Sequence, residues 1–215
     1  VGEPSYYLFH SETFNFARGI LGRWFNHFSG RFLFFEGDWQ NLRHSAPNQG
    51  VLTHLDLILL IAGLVALVRS GSKKENTFIW LWLILAPLPS ILSRDEIHAV
   101  RSYNLVIPLT MLLAFGAILI LDKLNRFKWL LVLLYLFGYA YFLDSLFVHL
   151  PAHNSKYWDY GFKQIVETVT PIQANYKTIR VQQSFAQPYI YFLFYQKYDP
   201  AKYQKQANLI ESEFG

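Results

Sequence analysis

Four unbroken apolar stretches limit what this chain can become: 55–68 (LDLILLIAGLVALV), 77–93 (TFIWLWLILAPLPSILS), 105–121 (LVIPLTMLLAFGAILIL) and 129–150 (WLLVLLYLFGYAYFLDSLFVHL). A bilayer crossing takes about 20 apolar residues, with a working range of about 17–25. The last three stretches meet that length directly, and the first does so once 51–54 is added. Helices buried in a soluble bundle keep a polar stripe toward water, and none of these four has one. Only 16% of the 215 residues are charged, against about 25% in soluble domains, and the mean hydropathy is +0.17. The expected fold is mainly α: a polytopic membrane protein with about four transmembrane helices and a small extracytoplasmic α/β segment at the C-terminus. Its parts are 1–50, an outer interfacial helix and loop; 51–150, the membrane region; and 151–215, an outer α/β domain.

Charge placement orients the spans. The connections 69–76 (RSGSKKEN) and 122–128 (DKLNRFK) hold six Lys and Arg in fifteen residues, whereas 1–50, 94–102 and 151–215 hold thirteen in 124. Short basic loops stay on the cytoplasmic side. Residues 1–50, 94–102 and 151–215 are then extracytoplasmic, and the protein is a multi-pass component of the cytoplasmic membrane. The basic residues serve as membrane anchors and form no separate basic stripe with stacking aromatics, so nucleic acid is not an expected partner. The chain has no cysteine, which removes disulfides, thiolate metal sites and cysteine nucleophiles.

Outside the spans, residues 14–28 place Phe14, Ala17, Leu21, Trp24, Phe25 and Phe28 on one helical face, opposite Arg18, Arg23, Asn26 and His27. Such a helix lies in the membrane interface or packs on the protein's own outer part. Residues 31–50 contain the turn formers Gly37, Pro47, Asn48 and Gly50 and form an ordered loop. Residues 159–170 read as a helix with Phe162, Ile165, Val166 and Val169 on one face. Residues 178–182 (TIRVQ) alternate as a short strand, and Pro188 opens a helix running to Gln196.

The densest chemistry lies at 93–102 (SRDEIHAVRS), where Arg94, Asp95, Glu96, His98 and Arg101 fall within eight residues. Pro87 and Pro89 break the end of the preceding span, and a broken end at membrane depth lines a cavity or packs into protein. Arg94, His98 and Arg101 are the candidates for binding a lipid phosphate, since the guanidinium fork matches phosphate geometry. Asp95 and Glu96 are the carboxylates in reach as catalytic groups. Pairing of these charges with one another or with lipid headgroups is the structural alternative. A second cluster, Asp38, Trp39, Arg43 and His44, offers a sugar platform with phosphate contacts, or an interface anchor. Asp56 and Asp144 sit at the outer ends of spans one and four, where carboxylates are functional candidates. His44, His54 and His98 have no metal-ligand spacing, so no metal is expected from them, and no nucleotide-binding or nucleophile-elbow motif is present.

FLFFEGDWQNLRHSAPNQG, followed by a span, a basic loop, a span ending LAPLPSILSRDEIHAVRS and a further span, resembles the later part of bacterial GT-C membrane glycosyltransferases, the protein mannosyltransferase and aminoarabinose transferase group. The resemblance covers roughly residues 5–150. It implies an inverting transferase using a polyprenyl-phosphate-linked sugar, with a glycan, lipid or protein as acceptor. It places Arg94, His98 and Arg101 at the lipid phosphate. It also assigns the catalytic carboxylate, and any divalent metal, to an outer loop upstream of Val1; no cofactor is implied within these residues. The alternatives from other classes are a non-catalytic transporter or flippase subunit for lipid-linked glycans, and a structural membrane module.

Overall fold

A computed structural model describes residues 4–71, 73–181 and 187–207. They are mainly helical and divide into two units, Val1–Asn154 and Ser155–Gly215.

In the first unit, α1 (Pro4–Phe9) and α2 (Glu12–Asn26) precede a single wide helical turn, Arg31–Phe35, and a long ordered loop. Ser11 caps α2, its hydroxyl accepting from the Phe14 N–H at 3.3 Å. The apolar stretches then become α3 (Asp56–Arg69), α4 (Lys73–Leu85), α5 (Leu88–Ile91), α6 (Val106–Leu124), α7 (Lys128–Asp144) and α8 (Leu150–Asn154). Helix α4 ends ahead of Pro87, and the four-residue α5 resumes with Pro87 as its N-cap. Proline lacks the N–H and clashes with the preceding turn, so the expected break falls where the prolines stand.

One helical run among the described residues, Tyr103–Trp158, is long and apolar enough to cross a membrane. It covers the third and fourth apolar stretches. Within it, Asn125 adopts φ 42° between α6 and α7, a left-handed value that interrupts the regular helix. At about 1.5 Å per residue, the 14-residue α3 is about 21 Å long, short of a hydrocarbon core of about 30 Å.

The closest helix packing is between α3 and α6. A Cβ on Gly63 would overlap the Leu112 carbonyl, and one on Gly116 would overlap that of Leu59. Glycine at both positions lets the backbones touch, the small-residue device of membrane helix pairs. The core beside this crossing contains Phe32, Leu33 and Phe34 from the wide turn, Leu60, Leu67, Ile79, Leu83, Leu105, Leu109, Leu112 and the fully buried Ile97. Ile97 thereby plugs the 94–102 loop into the core.

Helix α2 packs on the ends of α4 and α5. Arg23 Nε donates to the Ile91 carbonyl at 2.7 Å, Trp24 Nε1 to Ile84 at 2.9 Å, and the buried His27 meets Ser90 Oγ at 2.9 Å. Arg23 and Trp24 satisfy carbonyls at the ends of α5 and α4, which have no partner within their own helices. Phe14, Phe16, Leu21 and Phe25 remain exposed.

In the second unit, α9 (Phe162–Val169) and α10 (Pro188–Tyr195) pack together, and α11 (Pro200–Gln206) follows. Phe162 stacks on Tyr191 with ring centroids 4.4 Å apart, and Val166 is buried. Gln196 Nε2 donates to Thr170 and Gln173, each at 3.0 Å. Both expected helices are present. The expected strand is not: residues 178–181 form no strand, and Gln182 lies outside the described residues. Five alternating residues make a strand only when a neighbouring strand takes their backbone groups, and no strand occurs among the described residues. Those of this unit are helical with connecting loops, which corrects the α/β expectation.

Candidate functional site

Two loops far apart in sequence are clasped together by one carboxylate. Asp38 is fully buried. Its Oδ1 accepts from the Asn41 N–H at 2.9 Å, and its Oδ2 accepts from the Ala99 N–H at 2.8 Å and lies 3.1 Å from His44 Nδ1. The Asp38 N–H in turn donates to Ser45 Oγ at 2.6 Å. Gly37, at φ 65°, sets up the turn that aims Asp38 inward, and a Cβ there would run into Ser45. Gln40 adds a second clasp, its Oε1 accepting from the Glu96 N–H at 2.7 Å. The 38–45 and 94–102 segments are therefore one structure.

The remaining candidates divide around this clasp. The Arg101 guanidinium donates to Asp95 Oδ2 at 2.6 Å, both side chains standing partly in solvent. Arg94, Glu96 and Arg43 are exposed. Residues 99–102 form a turn, and the Arg101 N–H donates to His98 Nδ1 at 3.3 Å. Burial and the Arg101 charge hold the His98 imidazole below its ordinary value, against the opposing pull of Asp38. Burial likewise lowers His27. Trp39 is covered by Arg31, whose guanidinium lies 4.3 Å from the ring centre. Asp56 accepts from Thr53 and, at 2.5 Å, from the Tyr135 hydroxyl, while Asp144 lies 3.2 Å from His149 Nε2.

Asp38, His44 and His98 bring one ligand-type atom each within 4.8 Å of one another. Their spacing in the chain gave no sign of this, because the clasp is what assembles them. His98 Nδ1 accepts the Arg101 N–H, so in the neutral ring the proton sits on Nε2. Asp38 Oδ2 already receives Ala99 and His44. A cation would have to displace these hydrogen bonds, and the cluster is self-consistent without one.

His44 and Ser45 open onto a cavity of about 400 Å³. Phe32, Leu52, Leu105, Val106, Leu109 and Phe142 supply apolar lining; Gln49, Ser102, Tyr103 and Thr110 join His44 and Ser45 as its polar residues. Gln49 is 3% exposed, and its Nε2 has no hydrogen-bond partner. A buried unpaired amide N–H costs about 1–3 kcal/mol, which marks Gln49 as a donor awaiting an acceptor. Sequence reading passed over Gln49 as part of a turn; the polar residue directly before Gly50 in RHSAPNQG was the available signal. Gln40 and His27 were missed as structural ties for the same reason, since each acts on a partner at least 56 residues away. No known protein family, curated protein or solved structure matches this chain.

Proposed function

We propose that this chain is the C-terminal part of an integral-membrane glycosyltransferase that moves a sugar from a polyprenyl-phosphate-linked donor to an acceptor on the extracytoplasmic side. The observation that carries this reading is the cavity beside the clasped loops. It joins apolar lining to polar groups that include a histidine, the hydroxyls of Ser45, Ser102, Tyr103 and Thr110, and an unpaired amide donor. An amphiphile with a prenyl chain and a polar headgroup has that same division, and ligand cavities combine apolar walls with a few directed polar groups in this way.

In this reading α3, α4 with α5, α6, and α7 with α8 are four spans, the shorter ones completed by their flanking turns. The basic 69–76 and 122–128 connections face the cytoplasm. The clasped loops and residues 155–207 then lie outside. Val100 and Ser102 line the cavity on either side of Arg101. A lipid phosphate arriving there would take the Arg101 guanidinium from Asp95, with Arg94 and His98 as neighbouring donors.

The test is Arg101→Ala in the full-length protein, reconstituted in vesicles with polyprenyl-phosphate-linked sugar. Transfer should fall at least tenfold in kcat/KM at normal expression. Unchanged transfer removes the phosphate role. Movement of the lipid-linked sugar across the bilayer without transfer would establish the flippase alternative instead.

A further inference from the structure

Asp38 is a fully buried carboxylate, and among the described residues no Lys or Arg pairs with it. Its partners are two backbone N–H groups, the Asn41 side-chain amide at 3.4 Å and the His44 ring. The Asp38 oxygen at 3.1 Å is an acceptor, so His44 Nδ1 carries the ring proton and Nε2 keeps a bare lone pair. The Ala99 and Asn41 amides fix the carboxylate, and the carboxylate fixes the ring. His44 borders the cavity, and the unpaired Gln49 N–H belongs to the same lining. The cavity lining thus contains a proton acceptor and, buried within it, an unpaired hydrogen-bond donor, together the complement of a hydroxyl group, which both donates and accepts.

We propose that His44 and Gln49 form an acceptor-hydroxyl site, with His44 as its general base and Asp38 as the positioning residue behind it. The proposal rests on the glycosyl-transfer reading and places a proton acceptor within this chain. Gln49 donates to the hydroxyl oxygen and turns its O–H toward His44 Nε2. The oxygen attacks the anomeric carbon of the lipid-linked sugar, and the hydroxyl proton passes to Nε2. The new carbon–oxygen bond forms as the bond from that carbon to the phosphate oxygen breaks. The electron pair leaves with the lipid phosphate. The imidazolium that results is stabilised by Asp38, which no Lys or Arg among the described residues pairs with beforehand. An oriented base of this kind contributes typically about 10²–10⁴-fold to rate.

The experiment compares wild type, H44N and H44G in full-length protein reconstituted in vesicles. The donor is the labelled polyprenyl-phosphate-linked sugar pool extracted from membranes of the producing cell. H44N keeps an N–H near the position of Nδ1, so the bond to Asp38 and the clasp survive while the base is gone. The expected result is a fall in kcat of at least about 100-fold, with KM for the donor within a factor of three and the unfolding temperature retained. Added imidazole should restore part of the rate in H44G. If wild type transfers sugar and H44N stays within threefold of it, the base assignment is overturned and the transferase reading stands. A slow H44N combined with an H44G that imidazole does not revive also overturns it, in favour of a purely positioning role. Wild type that transfers nothing from the pool overturns both.

Discussion

Asp38→Ala is the sharpest probe of how the 38–45 and 94–102 loops are held. The substitution leaves the Asn41 N–H, the Ala99 N–H and the His44 ring proton without their acceptor in a buried place. Each orphaned buried donor costs about 1–3 kcal/mol, and removing one side of a buried charged network costs about 3–5 kcal/mol in total. The lower figure is the appropriate one here, because Gln40 still binds Glu96 and Ile97 stays plugged in the core. The loss should therefore be local: the clasp opens while the α3–α6 packing persists. At about 1.36 kcal/mol per tenfold change, 3 kcal/mol corresponds to amide exchange about 150-fold faster. Hydrogen exchange followed by mass spectrometry on peptides spanning 38–45 and 94–102 reads this directly, with peptides from α3 and α6 as the internal reference. Rates in both loop peptides within threefold of wild type would refute the clasp. Equal acceleration in α3 and α6 would refute its being a local device.

Other outcomes follow from the same geometry. Gly63→Val or Gly116→Leu should lower the unfolding temperature sharply, overpacking alone costing about 1–3 kcal/mol; Gly22→Ala, where no atom stands within 4 Å of the new Cβ, should stabilise α2 by up to about 1 kcal/mol. Arg101→Ala should change stability by less than about 1 kcal/mol in thermal unfolding, because its ion pair with Asp95 is half exposed. His27 and His98 both sit below the ordinary histidine value of 6.5 in the folded protein, so the unfolded chain binds more protons than the native one just below that pH. Stability then rises with pH through that window and is lost on acidification from pH 7 toward pH 5. A thermal-unfolding series should show this loss reduced in His27→Gln, and a flat wild-type profile would contradict it.

The clasp gives two stretches that stand out in the sequence, RHSAP and RDEIHAVRS, a common physical purpose. His44 and Ser45 from the first meet Asp38, and Ala99 from the second completes its shell. Arg101, a lipid-phosphate candidate in the sequence, is engaged by Asp95, one of the pairings the sequence also allowed. His44, read beside Trp39 as a sugar or phosphate contact, instead stands with Asp38 behind it and the cavity in front.

Local chemistry alone settled the apolar helices, the break at Pro87, the Pro188 helix start and the amphipathic face of α2, because each depends on neighbours within a turn or two of the same segment. Alternation in TIRVQ misled for the complementary reason: a strand is completed by a partner elsewhere in the chain, and residues 178–181 do not form one. The site itself was decided by tertiary structure. Asp38 reaches Ala99 across 61 positions, His27 reaches Ser90 across 63, and Gln40 reaches Glu96 across 56. No periodicity encodes such pairings. They form because burying a carboxylate, an imidazole or an amide in an apolar core demands a partner, and only the folded chain determines which partner is within reach.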